Sequence, residues 1–210
     1  MLIRPHEHVP IARLLTFLRH GEEMAHDCAR RQARLVSNHS RRFLNSQARQ
    51  EAMHAVVFQG AIAWLAPRHL GDIPFLPALE QYRGLLDEAL ERGDFYETIL
   101  AEQVILEGLG EAILMRIEDG LARRQAPFGR LRRILLRQEE GHHQFGRRLL
   151  EQAIDSGKLD REAVRSRARL YLELTDAMVV TLSDLFESVQ EDASAWASDV
   201  RHVLPAWLGA

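Results

Sequence analysis

Two Glu-x-x-His tetrads constrain the fold of this chain more than any other feature of its sequence. The tetrads are Glu51-Ala-Met-His54 and Glu140-Gly-His-His143, and each lies in a long stretch whose apolar residues recur at helical spacing. Residues three positions apart on a helix share a face, so each tetrad directs a carboxylate and an imidazole to the same point. The remaining residues of each stripe are mainly leucine, phenylalanine and alanine. The pattern therefore predicts that these polar groups enter the core of an all-α protein.

Helical spacing continues along the chain, and alternating runs of β-branched residues are nearly absent. Proline, glycine and polar turn residues separate the helical segments. These segments predict a four-helix bundle with a crossover helix and additional C-terminal helices. We expect one domain, 1–210, in which the bundle covers about 10–156 and a helical extension covers about 160–204. The expected helices run over about 10–36, 40–66, 78–90, 94–120, 127–157, 160–187 and 193–203.

Hairpin geometry indicates an acidic residue of the first helix that lies at the same level as the first tetrad. In an antiparallel hairpin, two residues at the same level are equally far from the turn. Glu51 lies about 11 or 12 residues after the turn at Asn38–Ser40, and counting back the same number from Val36, before the turn, leads near Glu22 or Glu23. Glu22 lies on the inward stripe of the first helix, whereas Glu23 points roughly 100° away from it. Glu22 is therefore the preferred residue.

The second hairpin adds another acidic residue by the same counting. Glu140 lies as far beyond Pro127 as Glu107 lies ahead of Gly120. Glu111 is on the same face one turn later, and it fits if the third helix continues into a very tight turn. The Gly120 stop signal favours Glu107.

Adjacent Glu and His doublets in the fourth helix leave its register open. The choice is between Glu139 with His142 and Glu140 with His143. A carboxylate just before a ligand can accept a hydrogen bond from the second N–H of a ligand histidine and fix its tautomer. This assigns that role to Glu139 and makes Glu140 and His143 the preferred ligands. Gln50, just before the first tetrad, is expected to play a similar role.

The residues selected in this way all lie on otherwise apolar stripes. Burial of four unpaired carboxylates is prohibitively unfavourable unless cations compensate for them. Two divalent metal ions would neutralise such a cluster, and carboxylate and imidazole ligands suit iron and manganese. The sequence therefore predicts a di-metal centre with the ligands Glu22, Glu51, His54, Glu107, Glu140 and His143.

The order Glu, Glu-x-x-His, Glu, Glu-x-x-His across residues 22–143 resembles the ferritin-like di-iron carboxylate superfamily. The segments Glu140-Gly-His-His143-Gln-Phe-Gly146 and Ile105-Leu-Glu107-Gly look most like the aldehyde-deformylating oxygenases and the tRNA-hydroxylase-like oxygenases. The resemblance covers the four bundle helices and not the last fifty residues. It implies a ferritin-like bundle that binds two iron ions, or else manganese or a mixed pair. It also implies that Glu51 and Glu140 bridge the metal ions and that Glu22 and Glu107 are terminal ligands.

One position argues against a branch of this superfamily. The N-oxygenases carry a third histidine one turn before the second tetrad, and Leu136 occupies that position in this chain. The resemblance therefore favours the other oxygenases and oxidases.

The expected function is that of a non-haem di-iron oxygenase or oxidase. Such an enzyme activates dioxygen and oxidises a small or lipid-like organic substrate. An apolar pocket beside the metal ions is expected, with Leu18, Met53, Phe58 and Phe145 as candidates for its lining. The first competing hypothesis is a ferroxidase or iron-handling protein without an organic substrate, and the second is a structural bundle without metal.

Composition limits the partners and the location. The formal net charge is −3 with both signs interspersed, so a nucleic-acid-binding surface is not expected. No apolar run is long enough to span a membrane, and the single cysteine, Cys28, excludes an internal disulfide. We expect a cytoplasmic protein that uses dioxygen and a small-molecule substrate. A ferredoxin or flavoprotein is the expected class of electron donor, and the sequence is compatible with a homodimer.

Overall fold

Four long helical elements form two hairpins in the computed structural model, which describes residues 4–36, 38–71, 77–123, 125–183, 187 and 193–208. The first hairpin consists of α1 (His8–Leu35) and α2 (Asn38–Leu65). In the second, α4 (Phe95–Ile99) continues through a π-helical segment into α5 (Glu107–Arg123), which is followed by α6 (Gly129–Asp155). The described residues contain no β-strand. The predicted all-helical bundle is confirmed.

The remaining helices pack around the two hairpins. The crossover helix α3 (Pro77–Glu91) contacts α7 (Arg161–Thr181), and α7 also contacts the π-helical segment, Leu100–Leu106. The last helix, α8 (Ala193–Val203), packs mainly on α5. The predicted helix that begins at about Asp160 was expected to reach about Glu187. Instead α7 ends at Thr181, and part of the expected extension lies outside the described residues.

Two of the predicted helix starts depend on capping aspartates, and both caps are present. The Asp94 carboxylate accepts a hydrogen bond of 3.0 Å from the backbone N–H of Glu97. The Asp160 carboxylate accepts one of 2.8 Å from the backbone N–H of Ala163. Each bond satisfies a backbone donor that has no partner within its own helix.

The turn between α5 and α6 differs from the prediction. The fourth bundle helix was expected to begin at Pro127, but α6 begins at Gly129. Gln125 and Phe128 have positive φ angles of 52° and 64°, a left-handed conformation that few residues other than glycine adopt. This turn therefore places the start of α6 beyond Pro127, from which the sequence-based register was counted.

The core between the helices is largely aliphatic, with a pair of tyrosines beneath the crossover helix. Tyr82 and Tyr171 are fully buried, and their ring centroids are 4.9 Å apart. The Tyr82 hydroxyl donates a hydrogen bond of 2.5 Å to the carbonyl of Ala101 in the π-helical segment. These contacts hold α3 and α7 against that segment. Among the described helices, none combines the length and the apolar character needed to cross a membrane.

Helix α6 approaches the π-helical segment closely at Gly146. A Cβ atom at this position would lie 2.5 Å from the Cβ of Gln103 and 3.0 Å from the Gln103 carbonyl carbon. Carbon atoms normally pack at about 3.5–4.0 Å, so the close approach requires glycine. The contact fixes which face of α6 points to the core.

Substitution of Gly146 by alanine is expected to lower the free energy of unfolding by roughly 1–3 kcal/mol, because the added methyl group forces α6 away from the π-helical segment. Gly141→Ala is the matched control in the same helix, since a Cβ there would meet nothing within 4 Å. In the control, the free energy of unfolding is expected to rise by about 0.5–1 kcal/mol, because alanine has a better helix propensity than glycine. Urea denaturation measures both values, and equal effects of the two substitutions would contradict the assigned contact.

Candidate metal centre

Six side chains from both hairpins converge in the bundle and form two overlapping groups of potential metal ligands. Every member is buried, and within each group the ligand atoms lie within 4.8 Å of one another. Glu51 and Glu139 belong to both groups, so the arrangement could hold two metal ions bridged by two carboxylates. The two groups are Glu22, Glu51, His54 and Glu139, and Glu51, Glu107, Glu139 and His142.

Three carboxylates of the first group surround one imidazole nitrogen. The Nδ1 atom of His54 lies 2.8 Å from Glu139 Oε1, 3.0 Å from Glu51 Oε2 and 3.2 Å from Glu22 Oε2. A single N–H cannot donate well to three acceptors at once. Three carboxylate oxygens and one imidazole nitrogen brought together in this way could instead hold one metal ion.

The second group contains buried polar atoms that lack a proper partner. The Nδ1 atom of His142 lies 2.9 Å from Glu51 Oε1, but the two atoms are not aligned for a hydrogen bond. Both carboxylate oxygens of Glu51 and Oε1 of Glu139 also lack a hydrogen-bond partner among the described residues. Buried polar atoms are nearly always paired, so unpaired atoms grouped in this way point to a ligand. The donor set of four carboxylates and two imidazoles fits iron or manganese.

The two histidines are held by glutamines from the opposite hairpin. The Nε2–H group of His142 donates to Gln50 Oε1 at 2.7 Å, as predicted for Gln50, and that of His54 donates to Gln138 Oε1 at 2.8 Å. Each glutamine directly precedes a glutamate that belongs to both groups. Because an amide oxygen can only accept, these bonds keep a proton on Nε2 and make Nδ1 the nitrogen that can bind metal.

A chain of buried amides orients Glu107. The Gln47 side-chain amide donates to Glu107 Oε1 at 2.7 Å, and the Gln103 amide donates to Gln47 Oε1 at 3.2 Å. Gln103 also exchanges two hydrogen bonds with Gln32, at 2.8 and 3.0 Å. This network connects α1, α2 and the π-helical segment, and it fixes one oxygen of the Glu107 carboxylate without using a charged partner.

The cluster strongly perturbs its own acid–base equilibria. Burial, reinforced by neighbouring carboxylates, raises the pKa values of Glu22 and Glu107 well above their usual range. Burial also opposes ionisation of Glu51, but the imidazoles of His142 and His54 hold its pKa below the usual value. Burial disfavours the charged form of His54, yet the surrounding carboxylates raise its pKa well above 6.5. The cluster therefore retains protons that bound metal ions would displace.

The structure corrects the predicted register of α6 by one residue. Glu139 and His142 enter the cluster, whereas the Glu140 side chain is exposed and accepts a hydrogen bond from Gln144. His143 is buried outside both groups, and its Nδ1 atom lies 2.7 Å from Glu111 Oε2. The sequence does contain a signal for the correct register, because one inward stripe passes through these buried residues: Leu135, Glu139, His142, Gly146, Leu150 and Ala153.

On α1 and α5 the structure brings the preferred glutamate into the cluster and leaves its competitor outside. Glu22 lies in the cluster, whereas the Glu23 side chain is 47% exposed and pairs with His20. Glu107 lies in the cluster, whereas Glu111 pairs with His143. Sequence reasoning missed Gln138 as the partner of His54, because that role was assigned to its neighbour Glu139.

An apolar pocket of about 410 Å³ lies towards one end of the bundle, beyond the cluster. Phe58 and Leu135 line it, and they lie four residues from His54 and Glu139 respectively. Four residues are about one helical turn, so the pocket begins roughly 6 Å along the bundle axis from the cluster. Trp64 and Phe128, both largely exposed, meet edge to face with ring centroids 5.8 Å apart at its rim.

Only some of the four residues that were expected to line an apolar pocket do so. Phe58 lines the apolar pocket, and Leu18 lines a smaller cavity on the acidic cluster. Phe145 instead stacks on Phe43 with ring centroids 4.0 Å apart, and Met53 is 61% exposed. The expectation is therefore wrong for Phe145 and Met53, whose helix faces point away from the pocket.

The helical arrangement is shared with solved proteins. No family model matches the sequence, and no curated protein matches it. Among solved structures, one described as "protein 19 with aldehyde deformylating oxidase activity", from Synechococcus, matches with a TM-score of 0.80 and 18% sequence identity. The match covers 100% of this chain and 92% of that chain. The predicted ferritin-like helical bundle is therefore confirmed.

Proposed function

We propose that this chain is a non-haem di-metal oxygenase or oxidase that uses dioxygen to oxidise an apolar organic substrate. The observation that carries the proposal is the pair of four-donor groups that share Glu51 and Glu139. The donor set supports two iron ions, and it would also suit manganese or a mixed pair. Metal ions of variable valence would supply the activation of dioxygen.

The side chains around the cluster have separate tasks in this proposal. Gln50 and Gln138 hold the two imidazoles in the tautomer that can bind metal. The amide of Gln47 orients Glu107 for the same purpose. The apolar walls of the adjacent pocket bind the substrate and keep water away from the reacting groups. An external donor, such as a ferredoxin or flavoprotein, would supply electrons.

The apolar pocket supports a hydrophobic substrate. Its volume of about 410 Å³ lies within the usual range for pockets that bind small molecules. The Synechococcus protein with the same fold is described as having aldehyde deformylating oxidase activity. We therefore propose an aliphatic aldehyde as the substrate class to test first.

The direct test combines metal analysis with turnover. Protein loaded anaerobically with ferrous iron is expected to hold two iron ions per chain. On addition of dioxygen, a reductant and aliphatic aldehydes of increasing chain length, it is expected to form organic products detectable by gas chromatography and mass spectrometry. Iron-loaded protein that consumes dioxygen without changing any aldehyde would contradict the proposed substrate class.

A pocket variant separates oxidation of a substrate from oxidation of iron alone. Ala61 lines the apolar pocket, and Ala63 is exposed on the same helix. Ala61→Phe is expected to keep two iron ions and to lower kcat/KM for the aldehyde by roughly 10- to 200-fold, because the added ring fills the pocket. Ala63→Phe should resemble the wild type. Rapid oxidation of ferrous iron in a large multi-subunit shell, with no organic product, would instead favour a ferroxidase.

A further inference from the structure

Glu102 is a fifth buried carboxylate beside the proposed metal centre. It is 0% exposed, and neither carboxylate oxygen has a hydrogen-bond partner among the described residues. It lines a cavity of about 40 Å³ together with Glu22, Glu107 and Glu139. Burial and the acidic side chains of Glu51 and Glu139 raise its pKa well above the usual value. An acidic group in these surroundings lacks the cation that would stabilise its charge.

The π-helical segment explains why Glu102 and Glu107 both reach the cluster. The backbone N–H of Glu107 donates to the carbonyl of Glu102, which is the i to i+5 bond of a π-helix. In an α-helix, residues five positions apart differ by roughly 140° around the axis and face different directions. The wider turn of a π-helix brings them to nearly the same side. This local geometry therefore adds a second carboxylate from the same element.

Glu102 shares the small cavity with carboxylates of both donor groups, namely Glu22, Glu107 and Glu139. Gly146 is one helical turn beyond His142, and it packs against Gln103, the residue that follows Glu102. Glu107 and His142 belong to the same four-donor group. The contact with Gly146 therefore places the element that carries Glu102 against α6, beside the proposed metal centre. The small cavity, which has room for about one water molecule, gives the Glu102 carboxylate space to approach it.

The charges of the cluster indicate the oxidation state of the metal ions that a fifth carboxylate would stabilise. The four carboxylates of the two donor groups balance two divalent metal ions. Oxidation of both ions to the trivalent state adds two positive charges in a buried site. A further carboxylate at the same site offsets part of this excess, since buried charges require opposite charges nearby.

We infer that Glu102 is an additional acidic ligand of the di-metal centre. It binds one of the two metal ions and favours the trivalent state of that ion. This inference rests on the proposed function. It goes beyond it by assigning a metal-binding role to a residue outside both donor groups.

The test compares two buried glutamates on one continuous helical element. Glu102→Gln removes the charge and preserves the shape of the side chain. Glu97→Gln is the control, because Glu97 is also buried but is already bound by Arg92 at 3.0 Å and by the Tyr171 hydroxyl at 2.9 Å. Calorimetric titration with Mn²⁺, ferric-iron release to a chelator and urea denaturation of the metal-free proteins are measured for both.

Glu102→Gln is expected to bind one of the two Mn²⁺ ions at least about tenfold more weakly and to release ferric iron at least about tenfold faster. Its metal-free form should be no less stable than the wild type, because the substitution removes a buried acidic group whose oxygens have no hydrogen-bond partner among the described residues. Glu97→Gln should show the opposite pattern, with unchanged metal binding and lower stability. Glu102→Asp, which keeps the charge on a shorter side chain, should give intermediate affinity.

Wild-type affinity and iron retention in Glu102→Gln would overturn the inference while leaving the proposed function intact. Failure of that variant to fold would also count against it, because it would assign Glu102 a structural role. Absence of Mn²⁺ and iron binding by the wild-type protein would overturn the proposed function itself, and the inference with it.

Discussion

Replacement of Glu139 by glutamine is expected to remove both metal ions, whereas replacement of Glu140 by glutamine is expected to leave two metal ions per chain. The two residues are adjacent, but Glu139 belongs to both donor groups, whereas Glu140 points about 100° away around α6 and is exposed. Loss of Glu139 should weaken metal binding by more than the roughly 10- to 100-fold seen when a hydrogen-bond partner of a ligand is lost.

A third variant, at His142, tests whether each donor group holds one metal ion. His142 belongs to only one of the two groups, so His142→Ala should retain one metal ion per chain, bound by Glu22 and the remaining ligands. Elemental analysis after gel filtration, together with Mn²⁺ titration, measures the three stoichiometries. If Glu140→Gln loses metal and Glu139→Gln retains it, the assigned register of α6 is wrong.

Metal binding is also expected to have a large effect on stability, and this effect should grow with pH. Each occupied site contributes about 4 kcal/mol when free metal is present at a thousand times its Kd. The metal-free protein is expected to become less stable as the pH rises from about 5 to 9. Mn²⁺ should restore the lost stability, so that the gain on metal binding is larger at pH 8.5 than at pH 6.

The direction of this pH dependence follows from the shifted groups. The pKa values of Glu22, Glu102 and Glu107 are raised, so the folded state binds more protons than the unfolded state above the usual carboxyl pKa of about 4.3. Their contribution to stability is lost as the pH rises through the raised values. The pKa of His54 is also raised, so its contribution is lost in the same direction above about 6.5.

Glu51 does not reverse this trend. Its pKa is lowered, so its contribution to stability is complete above the usual carboxyl pKa and is lost only in acid. Thermal or urea unfolding at several pH values, with and without Mn²⁺, measures the effect. A stability increment on Mn²⁺ binding that is the same at pH 6 and pH 8.5 would contradict the expected displacement of protons.

Much of the bundle follows from local signals that the sequence displays directly. Capping at Asp94 and Asp160 depends on residues close in sequence, and both starts were predicted. The inward position of Glu22 follows from the short connection between α1 and α2, which allows residues to be counted from the turn. Such features need only helix periodicity and the chemistry of helix ends.

The features that were not predicted depend on contacts between distant segments. The direction in which α6 faces is fixed where Gly146 meets Gln103, and counting from Pro127 could not reveal that contact. The π-helical segment has no local sequence pattern that distinguishes it from an α-helix. Glu102 was therefore not recognised as a buried neighbour of the cluster, although Glu107 on the same element was.

The exchange of hydrogen bonds between the hairpins has a consequence for assembly of the protein. Gln50 on α2 orients His142 on α6, and Gln138 on α6 orients His54 on α2. Neither hairpin alone can set the tautomer of its own histidine by these bonds. In the proposed metal centre, high-affinity binding of metal would therefore require that the two halves of the chain have docked, so that metal occupancy would indicate completed folding.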